Sequence, residues 1–188
     1  NGKPAGELHQ GGFYRFSYDI TELLNLGKKN QLEVKVAKES ANRSINAAER
    51  KADWWLFGGI YRPVWLEVLP QIHMKHFVLS ADHKGKFQAS IDMEGDAKGH
   101  EIVVSVRSLK DGKTVYTSNG QTTITHPINN SGKEQMISGE WTNIVPWSTE
   151  APNLYVVKLE LKNPEGKIVQ TRETRIGFRT VEFFPQDG

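Results

Sequence analysis

The feature that most constrains the fold is a two-residue alternation of apolar and polar side chains that recurs through the second part of the chain. Phe87, Ala89, Ile91 and Met93 stand opposite Gln88, Ser90, Asp92 and Glu94, and Ile102, Val104 and Val106 repeat the pattern. Tyr155, Val157, Leu159 and Leu161 then alternate with Lys158, Glu160 and Lys162. Side chains two apart share one face of a strand, so each stretch predicts a strand with one face turned to a core. Phe77 to Ala81 opens the set, and Asp111-Gly112 is expected to turn the chain into Thr114 to Thr117. Asn163-Pro164-Glu165-Gly166 makes a turn with proline at its second position, from which Ile168 to Ile176 returns as a partner strand. Residues 122–138 carry the weakest pattern, being polar and interrupted by Pro127 and Asn129-Asn130. About seven or eight short strands without helical periodicity predict a two-sheet sandwich.

The first part is read in the same way. Tyr14, Phe16, Tyr18 and Ile20 share one face of a predicted strand opposite Arg15, Ser17 and Asp19, and Leu32, Val34 and Val36 mark another. Between them Thr21 is expected to cap a short helical turn through Leu23-Leu24 that Gly27 stops. Residues 37–52 are polar and mixed, without periodicity, and predict a long loop that delivers Asp53. Ile60 to Leu69 reads as a strand apolar on both faces. Pro70-Gln71 separates the two sets of strands and is the expected domain boundary. The fold class is therefore all-β, with a first domain over 1–70, an immunoglobulin-like β-sandwich over 71–184, and 185–188 as the start of a linker. The chain has no cysteine, so the second domain is immunoglobulin-like in architecture only.

The site-like stretch is Asp53 to Leu66, DWWLFGGIYRPVWL. It sets Trp and Phe rings beside one acid, a glycine pair and Arg62. A carboxylate next to aromatic rings can accept hydrogen bonds from neighbouring sugar hydroxyls while ring faces cover the sugar's C–H surface. Gly58-Gly59 removes side chains where a turn brings the backbone close to something else. Asp53 would equally serve as a loop acid bonded to Arg50, Arg62 or backbone N–H groups. Of Trp54, Trp55 and Phe57, at least one is expected in the core and the others along a sugar pocket. Arg62, among apolar neighbours, predicts a buried ion pair or a backbone-carbonyl contact.

Composition excludes several classes. The net charge of +2 carries no basic stripe, which leaves no footprint for nucleic acid or an anionic membrane. Without cysteine there is neither disulfide nor thiolate chemistry, and the compartment stays open between periplasm and cytosol. Of the six histidines only His73 and His76 are close, and their odd spacing places them on opposite faces of a strand, against a metal site. Asp92, Glu94 and Asp96 share their face with Gln88 and Ser90 and read as a solvated strand face. Asn42-Arg43-Ser44 and Asn129-Asn130-Ser131 fit the glycosylation triplet, a pattern that also arises by chance. The opening Asn1-Gly2, without Met or a signal-peptide pattern, predicts an internal cut in a longer protein.

The Asp followed by aromatics and G-I-Y-R-P-V resembles the end of the sugar-binding domain of glycoside hydrolase family 2, which includes β-galactosidases and β-glucuronidases. W-S-T-E-A-P-N-L-Y at Trp147 to Tyr155, G-F-R-T-V-E-F at Gly177 to Phe183 and G-G-F-Y-R-F-S-Y-D-I-T at Gly11 to Thr21 agree with it in order. The resemblance implies a jelly-roll sugar-binding domain, of galactose-binding-like form, present only as its last part, then an immunoglobulin-like domain. A catalytic (β/α)8 barrel carrying both catalytic carboxylates would follow, so no catalytic residue is expected here. Asp53 would reach a substrate sugar or, in some β-galactosidases, a bound cation, with Trp54 and Trp55 lining the pocket. The implied partners are a carbohydrate substrate and the barrel of the same chain, with a homo-oligomer left open. No cofactor is implied for this stretch itself. The other class that the residues allow is a free-standing carbohydrate-binding module or adhesin built from two sandwiches.

Overall fold

The computed structural model describes residues 1–51 and 58–186. The chain separates into two compact units, Asn1–Leu66 and Glu67–Gly188. The protein is all-β in its regular core, with two antiparallel sheets and little helix.

Seven strands lie in the second unit among the described residues: β1 (His73–Ala81), β2 (Lys86–Glu94), β3 (Glu101–Ser108), β4 (Thr123–Pro127), β5 (Glu134–Glu140), β6 (Tyr155–Lys162) and β7 (Ile168–Ile176). A three-stranded sheet in the order β1-β2-β5 faces a four-stranded sheet in the order β4-β3-β6-β7. The alternation predicted from sequence is the one observed. Phe87, Ala89, Ile91 and Met93 of β2, Ile102, Val104 and Val106 of β3, and Tyr155, Val157, Leu159 and Leu161 of β6 are all buried in one cluster. Each large apolar side chain taken from water contributes roughly 1.5–3 kcal/mol, so this cluster dominates the unit's stability.

The turns follow from local chemistry. Asp82 accepts from the amides of Lys84 at 2.8 Å and Lys86 at 3.0 Å, closing the β1–β2 hairpin at Gly85. Gly85 has φ +96°, and a Cβ there would lie 2.0 Å from the carbonyl oxygen of Trp141, so only glycine fits. The β6–β7 turn forms as predicted: Asn163 accepts from the Lys167 amide at 2.8 Å, with Gly166 in the left-handed region.

β1 starts at His73, ahead of the predicted Phe77, because its register shifts between Met74 and His76. The extra residue, Lys75, is a bulge that moves the core face from Met74 to Phe77, Leu79 and Ala81. This corrects the prediction for the two histidines. His73 pairs with Glu94 and His76 with Asp92, two residues of one β2 face, so both histidines lie on the outer side. At the bulge the Gln170 carboxamide accepts from the Met74 amide at 2.6 Å and donates back to its carbonyl at 3.4 Å. It stands in for a strand along the seam between β1 and β7.

Other expectations change in detail. Thr114 to Thr117 forms only two isolated bridges, Arg107 with Thr114 and Thr117 with Trp141. The weakly patterned 122–138 resolves into β4, which ends at Pro127, and the start of β5.

In the first unit the predicted strands are absent among the described residues. The stretches 13–20, 32–37 and 60–69 form no backbone ladder; Tyr14 is 76% and Leu32 74% exposed. Alternation provides an apolar face, but a strand also needs a neighbour for its N–H and C=O groups. Residues 37–52, expected as an aperiodic loop, contain an α-helix instead, α1 (Arg43–Arg50). Asn42 caps it, accepting from Ser44 N at 3.0 Å and Ile45 N at 3.2 Å, and Ala47, Ala48, Glu49 and Arg50 are good helix formers. The short turn forms at Thr21–Leu23, but Thr21 is its first residue and not its cap: the N-cap is Ile20, with no side-chain cap bond, because the Thr21 hydroxyl and amide both donate to the Asp19 carboxylate.

Candidate functional site

Asp53, Trp54, Trp55 and Phe57 lie outside the described residues; their flanks are described. On the entering side, Arg50 at the end of α1 donates to the Lys38 carbonyl at 3.2 Å and pairs with Glu39 at 3.2 Å. Its neighbour in the helix, Glu49, accepts from the Gly12 amide at 2.5 Å. On the leaving side, a Cβ at Gly58 would sit 3.7 Å from the Lys38 side chain. Arg50 and Gly58, on the two flanks, therefore both meet Lys38. Gly59 has φ +89°, a conformation that a side chain would strain.

Arg62 is not buried as predicted: it is exposed, with its guanidinium 5.7 Å from the centre of the Tyr61 ring. The proline after it breaks the apolar run that had implied burial, and the planar cation stacks on an aromatic face instead. Arg15 similarly lies 4.9 Å over Trp65. Tyr61 and Trp65 are both more than half exposed.

The acids of the second unit read differently. Asp92 and Glu94 are exposed, as a solvated face requires, and Glu94 pairs with Lys75 at 2.9 Å. The hydrogen bond and charge of Lys75 hold the Glu94 carboxyl below its ordinary range. Asp19 is lowered by its bonds from Thr21, Asp111 by those from Ser108 and Lys113, and Glu150 first by Thr149. At Asp82 desolvation works upward, but the amides of Lys86 and Lys84 with nearby cations bring the net shift down. Every resolved carboxyl shift among the described residues is thus downward. Such groups are ionised acceptors rather than the raised-pKa acids that donate protons in catalysis. Among the described residues no group of three His, Asp or Glu side chains is placed to hold a metal.

The two segments quoted from 147–155 and 177–183 converge at one end of the sandwich. The Trp147 amide donates to the Phe178 carbonyl at 2.9 Å, and Arg179 lies 5.0 Å over the Trp147 ring. Gly177 sits beneath that ring, where a Cβ would come within 2.7 Å of the Trp147 Cβ. Phe178, fully buried, packs edge-on to Tyr155 at 5.2 Å. The Tyr155 hydroxyl accepts from Val145 N at 2.9 Å and donates to Val145 O at 3.3 Å. Trp147 and Tyr155 therefore serve the fold. Arg179 N then donates to Ala81 O at 3.1 Å, tying the segment to the opposite sheet.

The second unit is a two-sheet antiparallel sandwich, and it follows a stretch that sets one acid beside aromatic residues in the sequence. The sequence model of Glycosyl hydrolases family 2 matches residues 71–179, and the chain belongs to that family. It is 30% identical over 187 residues to a β-galactosidase of Thermoanaerobacter pseudethanolicus, covering 97% of this chain and 24% of that one. It is 29% identical over 200 residues to a putative β-glucuronidase of Formosa agariphila, covering 97% and 21%. A crystal structure of Bacteroides uniformis β-glucuronidase shares the fold with a TM-score of 0.59 at 22% identity, over 86% of this chain and 20% of that one. The chain thus spans about a quarter or less of the curated relatives it matches.

Proposed function

We propose that this chain is the non-catalytic, sugar-binding and bracing region of a β-galactosidase-like family 2 glycoside hydrolase that acts on terminal β-linked sugars. The observation that carries the reading is one of proportion: 97% of this chain aligns within 21–24% of two glycosidases, so most of such an enzyme is other sequence. Residues 1–70 would be the last part of a jelly-roll sugar-binding domain and 71–184 an immunoglobulin-like brace, with the two catalytic carboxylates on a barrel elsewhere in the parent. The knot of Trp147, Phe178 and Arg179 gives residues 177–180 a fixed course, as a brace requires. Asp53 would accept hydroxyl hydrogen bonds from the sugar, beside Trp54 and Trp55. The described residues supply no donor set for a cation, so the proposal gives a cation no step.

The test compares this chain with the intact parent on aryl β-galactoside and aryl β-glucuronide. Turnover is expected from the parent alone, since hydrolysis needs an acid and a nucleophile or base facing each other across the bond. Turnover by this chain that disappears on mutating one of its own acids would overturn the reading. In the parent, Asp53→Ala is expected to lower kcat/KM roughly ten- to a hundredfold, the loss of a charged hydrogen bond, with the melting temperature kept. An unchanged kcat/KM would remove Asp53 from the site.

A further inference from the structure

The chain enters the second unit along a stretch whose course its own backbone does not fix. Residues 67–71 belong to no strand and make no backbone–backbone hydrogen bond among the described residues. Apolar burial does not hold the start of the stretch either, since Val68 is 89% and Leu69 38% exposed. What meets it is the sandwich. The Arg172 guanidinium donates to the Glu67 carboxylate at 2.5 Å, and the His73 ring donates from Nδ1 to the Pro70 carbonyl at 2.8 Å. Gly95 leaves room for the Gln71 carbonyl oxygen, which a Cβ there would meet at 3.0 Å.

Arg172 is the member of this set that the packing of the sandwich does not explain. In β7 it pairs with Leu159 of β6, and directly paired residues of antiparallel strands share a face, so it stands on the face of a core residue that is 1% exposed. Gln170, two residues earlier, pairs with the buried Leu161 and closes the seam to β1 at Met74. A guanidinium on that face costs desolvation that an apolar side chain would avoid. The carboxylate that answers it is Glu67, 105 residues away in sequence. The two side chains keep 28% and 35% exposure, so water screens the pair and its contribution to stability is small. Its effect is on where the chain runs.

We infer that the Glu67–Arg172 pair is a strap that pins the entering chain to the β7 edge and keeps residues 67–69 from acting as a free linker. The first unit ends at Leu66 and Glu67 is the first residue of the second, so the pair holds the chain at the point where the two units join. Beyond it the His73–Pro70 bond and the Gln71–Gly95 contact carry the hold to Ile72, which packs against the core. With Glu67 and Arg172 apart, the held length would begin at Pro70 and residues 67–69 would be freed. The strap consists of second-unit residues alone and needs neither Asp53 nor a catalytic barrel, which sets it apart from the role proposed above.

The experiment measures backbone ¹⁵N relaxation of the full chain at Val68 and Leu69, whose amides lie between the two holds. Order parameters of about 0.85, those of rigid backbone, are expected in the unaltered chain. Arg172→Met and Glu67→Gln should each lower them to about 0.6 or below, while the melting temperature of the second unit stays within about 5 °C. The exchanged pair, Glu67→Arg with Arg172→Glu, keeps the two charges opposite and should restore the order, which neither reversal alone should do. Glu67→Gln alters no strand, so it reads the strap even if Arg172→Met costs the sheet its edge. Low order parameters in the unaltered chain, order at 68–69 that survives Glu67→Gln, or an exchanged pair as mobile as the single variants would each overturn the proposal. Glycoside turnover is not the readout, so failure here leaves the accessory-region reading untouched.

Discussion

The two units carry the same kind of apolar alternation and use it in opposite ways. In the second, Phe87, Ala89 and Ile91 are at most 1% exposed; in the first, Tyr14, Phe16 and Val34 are all more than half exposed. The sequence patterns are equally regular, so pattern does not make the difference. In the second unit each strand has hydrogen-bonded neighbours and the two sheets face each other. In the first, the described backbone bonds are those of turns and of α1, and side chains such as Glu49, Arg50 and Asn30 do the tying. Periodicity specifies which side chains share a face. Whether that face is buried depends on an opposing layer, which periodicity does not contain.

The largest expected effect tests this contrast directly. Phe178→Ala removes a fully buried ring packed on Tyr155 and should destabilise the second unit by about 3–5 kcal/mol. Leu32→Ala, at a side chain 74% exposed, should change stability by no more than about 0.5 kcal/mol. Denaturant unfolding of both variants checks it. Similar costs at the two positions would show that the first unit buries its apolar face after all.

A smaller effect is expected where the tie is polar. Tyr155→Phe keeps the ring but leaves the Val145 amide without its partner, at a cost of about 1–3 kcal/mol if the amide stays buried. Tyr18→Phe loses only an exposed bond to Glu7 O and should be nearly neutral. Thermal melts of the pair sharpen the comparison, since both variants delete one hydroxyl. Smaller again is Asn42→Ala, which removes the α1 cap and should cost about 1 kcal/mol. That loss should appear as faster amide exchange in α1 without a shift in the melting of the second unit.

What could be read from sequence divides along the same line. The core faces of β2, β3 and β6 were legible because they alternate strictly, as was the β6–β7 turn because Asn163, Pro164 and Gly166 each have one favoured place in it. The start of β1 was not, because the bulge at Lys75 changes the phase between Met74 and Phe77, and that shift also moved His73 and His76 onto one face. The helix after Asn42 was hidden by its polarity, although the cap followed by Ala47 and Ala48 was a usable signal. The family was legible from Asp53 and the G-I-Y-R-P-V that follows, with Trp147 to Tyr155 and Gly177 to Phe183 agreeing in order; the contacts of Trp147, Gly177 and Arg179 account for those last two segments.

The smallest expected effect is that of pH. The Lys75 ammonium lowers the Glu94 pKa by a hydrogen bond at 2.9 Å and by its charge. A lowered folded-state pKa means that the unfolded chain binds more protons near the titration, so stability rises with pH there. The Glu94 contribution is accordingly present above the ordinary carboxylate value of about pH 4–5, and is lost as pH falls through the folded value beneath it. Lys75 is raised by the same pair, so its contribution holds below its ordinary range and fades in strong alkali. Both groups are solvent-exposed, which keeps the effect small and sensitive to salt. Glu94→Gln should therefore flatten the acid limb of the second unit's stability profile slightly at low ionic strength, and 1 M salt should remove most of the difference. Asp19, lowered by its Thr21 bonds, supplies the matching control in the first unit. Asp19→Asn should leave the second unit's acid limb unchanged if the two units melt as separate bodies. A change of equal size from both variants would mean that the exposed first unit and the packed second one unfold together.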